Sequence, residues 1–196
     1  MKHLLVFALI AAGCGGDDAP SVDAPTAGSD AAADGPDIDA PPTGFTLTSP
    51  AFNNGGSIPG EQTCTGAGTS PQLDWTNPPA NAMSYAVVLT DLTNTAIHWV
   101  IWDIPGTATG LPANVENAFQ PANVAGAKQA ASFNNIRGYV GPCPPPPEEH
   151  MYQFAVFAID VATLPGTSMN TTQVQALQAI NMHRISSATL TGRYKQ

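Results

Sequence analysis

Residues 141–160 read GPCPPPPEEHMYQFAVFAID, a passage from chain that resists regular structure to chain that suits a strand. Proline fixes φ and lacks a backbone N–H, so Pro142 and Pro144 to Pro147 predict an extended loop without a regular hydrogen-bonded ladder. The strand begins after it. Met151 to Asp160 is apolar on both faces, the pattern of a strand covered on both sides. Side chains in a strand alternate between faces, so His150 and Tyr152 project together where the rigid loop enters the sheet. That position predicts the wall of a pocket.

Working outward, Phe45 to Ser49 (FTLTS) alternates, and Tyr85 to Asp91 (YAVVLTD) and His98 to Ile104 (HWVIWDI) are short apolar runs. Turn signals separate these runs: Asn53-Asn54-Gly55-Gly56, Asn77-Pro78-Pro79 and Pro105-Gly106. The pattern predicts a mainly β fold, an antiparallel sandwich whose central strands are covered on both sides. Near the end, Thr171 or Thr172 can cap a helix carrying Val174, Leu177 and Ile180 on one face, and a last strand follows over Ala188 to Tyr194. Trp75, Trp99 and Trp102 are expected in the core or the pocket wall.

The N-terminal residues address the chain. After Lys2, Leu4 to Gly13 (LLVFALIAAG) is apolar and then small, a secretory signal too short to span a bilayer, since a span takes about 20 residues. Small residues directly before Cys14 resemble a lipobox, implying a signal peptide over 1–13 and diacylation of the Cys14 thiol; the competing reading is a plain signal peptide. Gly15 after the cysteine resembles lipoproteins sorted to the outer rather than the inner membrane of a bacterial envelope. Residues 15–43 are almost entirely Asp, Ala, Pro, Gly, Ser and Thr, and with Cys14 they predict a disordered tether reaching on the order of 30 Å. The tether holds seven of the fifteen acids and no base. Residues 44–196, expected as a single domain, are therefore only mildly acidic despite the net charge of −9, and no basic stripe suggests nucleic acid.

The segments SPQLDW (70–75), SYAVVLTD (84–91), HWVIWDIP (98–105), GYVGPCPPPPEEHMY (138–152) and ATLTGRY (188–194) occur in that order. Together they resemble the phosphatidylethanolamine-binding protein family, also called the Raf kinase inhibitor family, in its bacterial branch. The resemblance implies two antiparallel sheets in a Greek-key arrangement with a helical C-terminal segment. It also implies a small anion-binding pocket at one end of the sandwich, formed here by Asp91, His98, Gly141, Pro142, His150 and Tyr152.

The chemistry suits such a pocket. His98 and His150 can donate to phosphate oxygens, Tyr152 adds a hydroxyl, and Asp91 is expected to orient a histidine or accept from an ammonium group. The chain departs from the family at Asp91-Leu92-Thr93-Asn94-Thr95, where the second carboxylate and two prolines are missing. It departs again at Pro147-Glu148-Glu149 and at Met151, where an Arg is common. Two added acids and one missing base are expected to weaken anion affinity at the rim. His183 falls outside the pocket motifs and is read as structural.

Once Cys14 is lipidated, Cys64 and Cys143 form an even pair, which suggests a disulfide in an exported domain; two buried thiols are the competing reading. The sequence carries no nucleophile elbow, phosphate-cradling glycine loop or paired catalytic carboxylates, so no enzyme activity and no cofactor are expected. Three functions fit. The first is a membrane-tethered module binding a small anion or phosphorylated headgroup. The second is a protein-interaction or protease-inhibitor module with a vestigial pocket, and the third is a zinc site at Asp91, His98 and His150.

Overall fold

The computed structural model describes residues 44–133 and 135–196. The expected signal peptide, the lipidated Cys14 and the tether lie outside the described residues.

Strands β1 (Thr46–Thr48), β3 (Leu73–Thr76) and β6 (Gly110–Leu111) form a small sheet in the order β1-β3-β6. The larger sheet takes β2 (Gly56–Ser57), β4 (Ser84–Asp91), β5 (Ile97–Pro105), β7 (Lys128–Gln129), β8 (Glu149–Ile159) and β9 (Arg184–Lys195) in the order β2-β9-β8-β4-β5-β7. The architecture is mainly β, in two sheets with one α-helix, α1 (Gln173–His183), near the C-terminus. Pairing is antiparallel apart from β2, which runs parallel to β9. That two-residue strand follows the Asn53-Asn54-Gly55-Gly56 turn, which docks on β9 through Gly55 N–H to the Thr191 carbonyl at 2.8 Å and Thr191 N–H to Asn54 Oδ1 at 2.9 Å.

The strands that read as apolar on both faces do so because two cores flank them. Tyr85, Val87, Leu89, Trp99, Ile101, Phe154 and Val156 face the small sheet and pack with Leu47, Leu73, Trp75 and Leu111. Their neighbours Ala86, Val88, Val100, Trp102, Ala155, Phe157 and Ile159 face the other way, against Leu164 and the Ala176 and Ile180 side chains of α1. Alternation thus assigns these residues of β4, β5 and β8 to one of two buried layers.

The helix starts at the second of the two candidate caps. Thr172 Oγ1 accepts the Gln175 N–H at 3.2 Å, and Gln175 Oε1 accepts the Thr172 N–H at 2.9 Å, which makes a reciprocal capping box. Ala176 and Ile180 are the buried positions, and Leu177 is partly buried. Val174 is exposed, contrary to the expected face: six residues at about 100° each carry it well away from Ile180. The last strand also begins earlier than its apolar pattern, at Arg184, because backbone pairing of Ser186 and Ser187 with Ala158 and Phe157 extends it without apolar side chains.

Candidate functional site

Three strand ends meet at one end of the larger sheet, and their register decides which side chains converge. Asp91, the last residue of β4, pairs with Tyr152 of β8, as Leu89 does with Phe154 and Val87 with Val156. Asp91 and Tyr152 therefore continue the inner face of the sandwich past its apolar part. His150, two residues before Tyr152, shares that face.

His98 reaches the same place by a local irregularity. Simple alternation would group it with Val100 and Trp102, on the helix side. Leu89 pairs with Trp99 but Thr90 pairs with Ile97, so β5 carries one extra residue here, at His98. Such a bulge re-aims a side chain. The His98 ring meets Tyr152 edge-on with centroids 5.4 Å apart, and meets Phe133 in the same manner at 5.2 Å.

These residues border a cavity of about 650 Å³. Asp91, His98, Gly141, His150 and Tyr152 line it together with Phe133, Ile136, Tyr139 and the Cys64–Cys143 disulfide. The expected cysteine pairing is therefore made, at the rim. Pro142 is the one expected residue that does not line the cavity; its carbonyl accepts the Cys64 N–H at 3.1 Å and so fixes the loop to residues 60–64 from behind. Gly141 is required by the same close approach, because a Cβ there would stand 2.6 Å from the Gln62 carbonyl oxygen and 2.9 Å from Thr63 Cα. From Pro142 to Pro147 the loop has no helix or strand, as proline chemistry dictates.

The polar groups are tightly partnered. His150 Nδ1 lies 2.6 Å from Asp91 Oδ2, and His150 Nε2 lies 3.0 Å from Glu148 Oε2. Asp91 Oδ1 also accepts the Thr93 N–H at 2.8 Å. Glu148 and then Asp91 hold the His150 pKa above its ordinary value, outweighing its burial. Burial opposes ionisation of Asp91, but the hydrogen bonds from His150 and Thr93 and the nearby imidazoles hold its carboxyl below the usual range. Both His150 ring nitrogens thus face carboxylate oxygens, an arrangement that favours the protonated ring.

His98 behaves in the opposite way. Burial pushes its pKa down, and its contact with the Val140 carbonyl, 3.0 Å from Nδ1, together with Gly141 and Asp91, offsets this only in part. Near neutrality, donation from Nδ1 to Val140 leaves Nε2 with a lone pair. Burial and then the Asp91 carboxylate push the Tyr152 phenol up, so its hydroxyl keeps its proton. The site therefore offers one imidazole biased toward its charged form, one biased toward its neutral form, and a hydroxyl donor, on a wall whose apolar part comes from Phe133, Ile136 and Tyr139. Among the described residues, no group of three His, Cys, Asp or Glu side chains is arranged to hold a metal ion.

The expectation for Asp91 as the residue that orients a histidine is met, and the histidine is His150. The specific role of Glu148 was missed. Glu148 precedes β8, so strand alternation could not announce it; the only signal in the sequence is its place two residues before His150. Phe133, Ile136 and Tyr139 come from a long irregular segment with no periodicity to announce them. His183, outside the site, bonds Asp160 Oδ1 at 2.9 Å where α1 passes into β9.

Comparison with known proteins agrees with this architecture. Residues 48–195 match the model of the family described as phosphatidylethanolamine-binding protein. The UPF0098 protein of Methanothermobacter thermautotrophicus is 35% identical over 157 residues, covering 78% of this chain and 99% of that protein. A Mycobacterium tuberculosis protein whose name describes it as a lipoprotein, LppC, is 32% identical over 195 residues, covering 97% of this chain and 92% of that protein. The crystal structure of Escherichia coli YbcL, described as a member of the mammalian PEBP family, superposes with a TM-score of 0.71 at 28% identity, over 78% of this chain and 98% of that one. A PEBP homologue from Chlamydia trachomatis gives 0.67 at 29% identity, over 79% and 99%. With the five ordered motifs, the two-sheet fold and these matches in agreement, the chain belongs to the phosphatidylethanolamine-binding protein family.

Proposed function

We propose that this chain is a membrane-tethered, non-catalytic binding protein whose cavity captures a small anion or phosphorylated headgroup. The observation that carries this reading is the convergence of His98, His150, Tyr152 and Asp91, from three strands, on one cavity of about 650 Å³. Such a volume takes more than an inorganic anion, and the apolar wall formed by Phe133, Ile136 and Tyr139 suits the body attached to an anionic group. The non-catalytic part is supported by two observations: both cysteines at the rim are tied in a disulfide, and both His150 nitrogens are engaged by carboxylates.

Anchoring through Cys14 to a bacterial cell envelope is supported by the lipobox-like sequence. The relative named as lipoprotein LppC aligns over 97% of this chain, a span that reaches into the N-terminal region. The residue after Cys14 favours the outer membrane.

The test is a titration of the purified protein with inorganic phosphate, phosphoethanolamine and zinc, followed by the histidine ring signals in NMR. Saturable shifts of His98 and His150 with either anion, lost in His150→Ala, are expected. A response to zinc alone overturns the anion reading. The exposed rim favours a second reading, a protein-interaction module: Phe133, 63% exposed, and Ile136 stand at the cavity mouth. No response to any of the three titrants would favour it.

A further inference from the structure

The ring of His150 is held by two carboxylates of different character. Asp91 belongs to the wall: it is 1% exposed and is fixed by its Thr93 N–H bond. Glu148 is not itself a lining residue: it stands outside the cavity wall with 60% of its side chain exposed, and places Oε2 3.0 Å from Nε2 of His150, which does line it. A carboxylate oxygen at hydrogen-bonding distance from an imidazolium has the position and the charge that an oxygen of a bound anion would take. The contact is built in by the chain. Glu148 directly precedes β8, and its N–H bonds the Pro145 carbonyl at 2.9 Å, which fixes its backbone at the end of the proline loop, two residues from His150.

We propose that Glu148 is an internal competitor of the anion site, its carboxylate holding the His150 Nε2 donor so that an external phosphate- or carboxylate-type anion binds only when Glu148 swings out. The proposal rests on the anion-pocket reading above and names the residue that sets the affinity of that pocket. A side chain tethered two residues away competes at high effective concentration, so it weakens every external anion that needs the same donor. It is nevertheless displaceable, because a mostly exposed carboxylate returns to water at little cost. Selectivity follows: an anion carrying an apolar body that packs against Phe133 and Tyr139 gains what a bare anion lacks, and is the better displacer.

The experiment compares inorganic phosphate binding by the wild-type protein, Glu148→Ala, Glu149→Gln and His150→Ala, using calorimetry and the His150 ring signals. Glu149 is the control for charge alone: it sits one residue away on the opposite face, with Oε1 4.0 Å from Arg193 Nη1. Glu148→Ala is expected to tighten phosphate binding at least threefold and to shift the His150 ring signals before any phosphate is added. Glu149→Gln is expected to leave both nearly unchanged. Equal tightening in the two variants overturns the proposal, since net charge then explains the effect. Unchanged or weaker binding in Glu148→Ala also overturns it, while wild-type binding that His150→Ala abolishes leaves the anion pocket standing. Absence of phosphate binding in both the wild type and Glu148→Ala overturns pocket and competitor together.

Discussion

His150 and Asp91, 59 residues apart in the chain, are joined at 2.6 Å between Nδ1 and Oδ2, each almost wholly buried at the end of the sandwich. The bond is a consequence of register. Asp91 closes β4 opposite Tyr152, and His150 precedes Tyr152 by two residues on the same face of β8. A shift of one residue in that pairing would send both rings to the helix side and leave the carboxylate without its partner.

This pair predicts a pH dependence. The folded pKa of His150 stands above its ordinary 6.5, so its contribution to stability is complete below about pH 6.5 and is lost as pH rises through the folded value. The Asp91 carboxyl is lowered from 3.8, so its contribution is present above that pH and is lost as pH falls through the folded value. The pair is therefore worth most from about pH 4 to about pH 6.5. In Asp91→Asn the His150 titration is expected to move back toward its ordinary value. Urea unfolding is expected to show a loss of about 1–3 kcal/mol near pH 6 that shrinks as pH rises through the folded value of His150. A loss that grows with pH contradicts the assignment.

His98 works in the other direction. Burial lowers its pKa, so the fold favours the neutral ring, and its contribution is complete above the ordinary 6.5 and lost as pH falls through the folded value. Replacing His98 with Gln is expected to flatten the acid side of the stability profile, as read by thermal unfolding between about pH 4 and about pH 7. An unchanged acid limb would show that His98 carries no part of it.

The Cys64–Cys143 disulfide closes a sequence separation of 79 residues and ties the proline loop to the segment after the Gly60–Gln62 turn. Its removal in a Cys64→Ser, Cys143→Ser double variant is expected to cost about 2–5 kcal/mol. In the unreduced wild type, mass spectrometry is expected to find neither thiol open to alkylation. Alkylation of both without reductant contradicts the pairing.

Gly141→Ala places a methyl group against the backbone of Gln62 and Thr63. The expected cost is about 1–3 kcal/mol, with altered amide signals at residues 62–64 and His98 in the same NMR spectrum. A variant as stable as the wild type, with those signals unmoved, would show that the two segments can part freely.

Cys14→Ala is expected to abolish incorporation of radiolabelled palmitate and to move the protein from the membrane to the soluble fraction of a bacterial host. Labelling that persists in the variant excludes Cys14 as the anchor.

Much of the fold was legible because strand residues report their surroundings directly. Phe154 to Ile159 is apolar on both faces because one face meets the small sheet and the other meets α1, and the sequence carries that double burial in its composition; Met151 and Asp160, at the ends of the run, are exposed. The proline loop was equally plain, since a residue without an N–H cannot join a ladder. Among the site residues, Asp91, His150 and Tyr152 followed from strand parity and ordered motifs. Strand alternation reads from local sequence, whereas Asp91 was placed by the family resemblance alone.

Tertiary structure decided the rest. The bulge at His98 depends on a mismatch between β4 and β5 that neither strand announces alone. The helix face turned on which residues meet Trp102 and Ile159, which left Val174 in solvent. Whether Cys64 and Cys143 pair or stay buried thiols depended on the two loops closing over the cavity. The balance of charge at His150 is of the same kind: Glu148 is one more acid until the turn from the proline loop into β8 sets its oxygen 3.0 Å from the ring. Hydrogen bonds and close contacts act over a few ångströms, and only the folded chain brings their partners within that range.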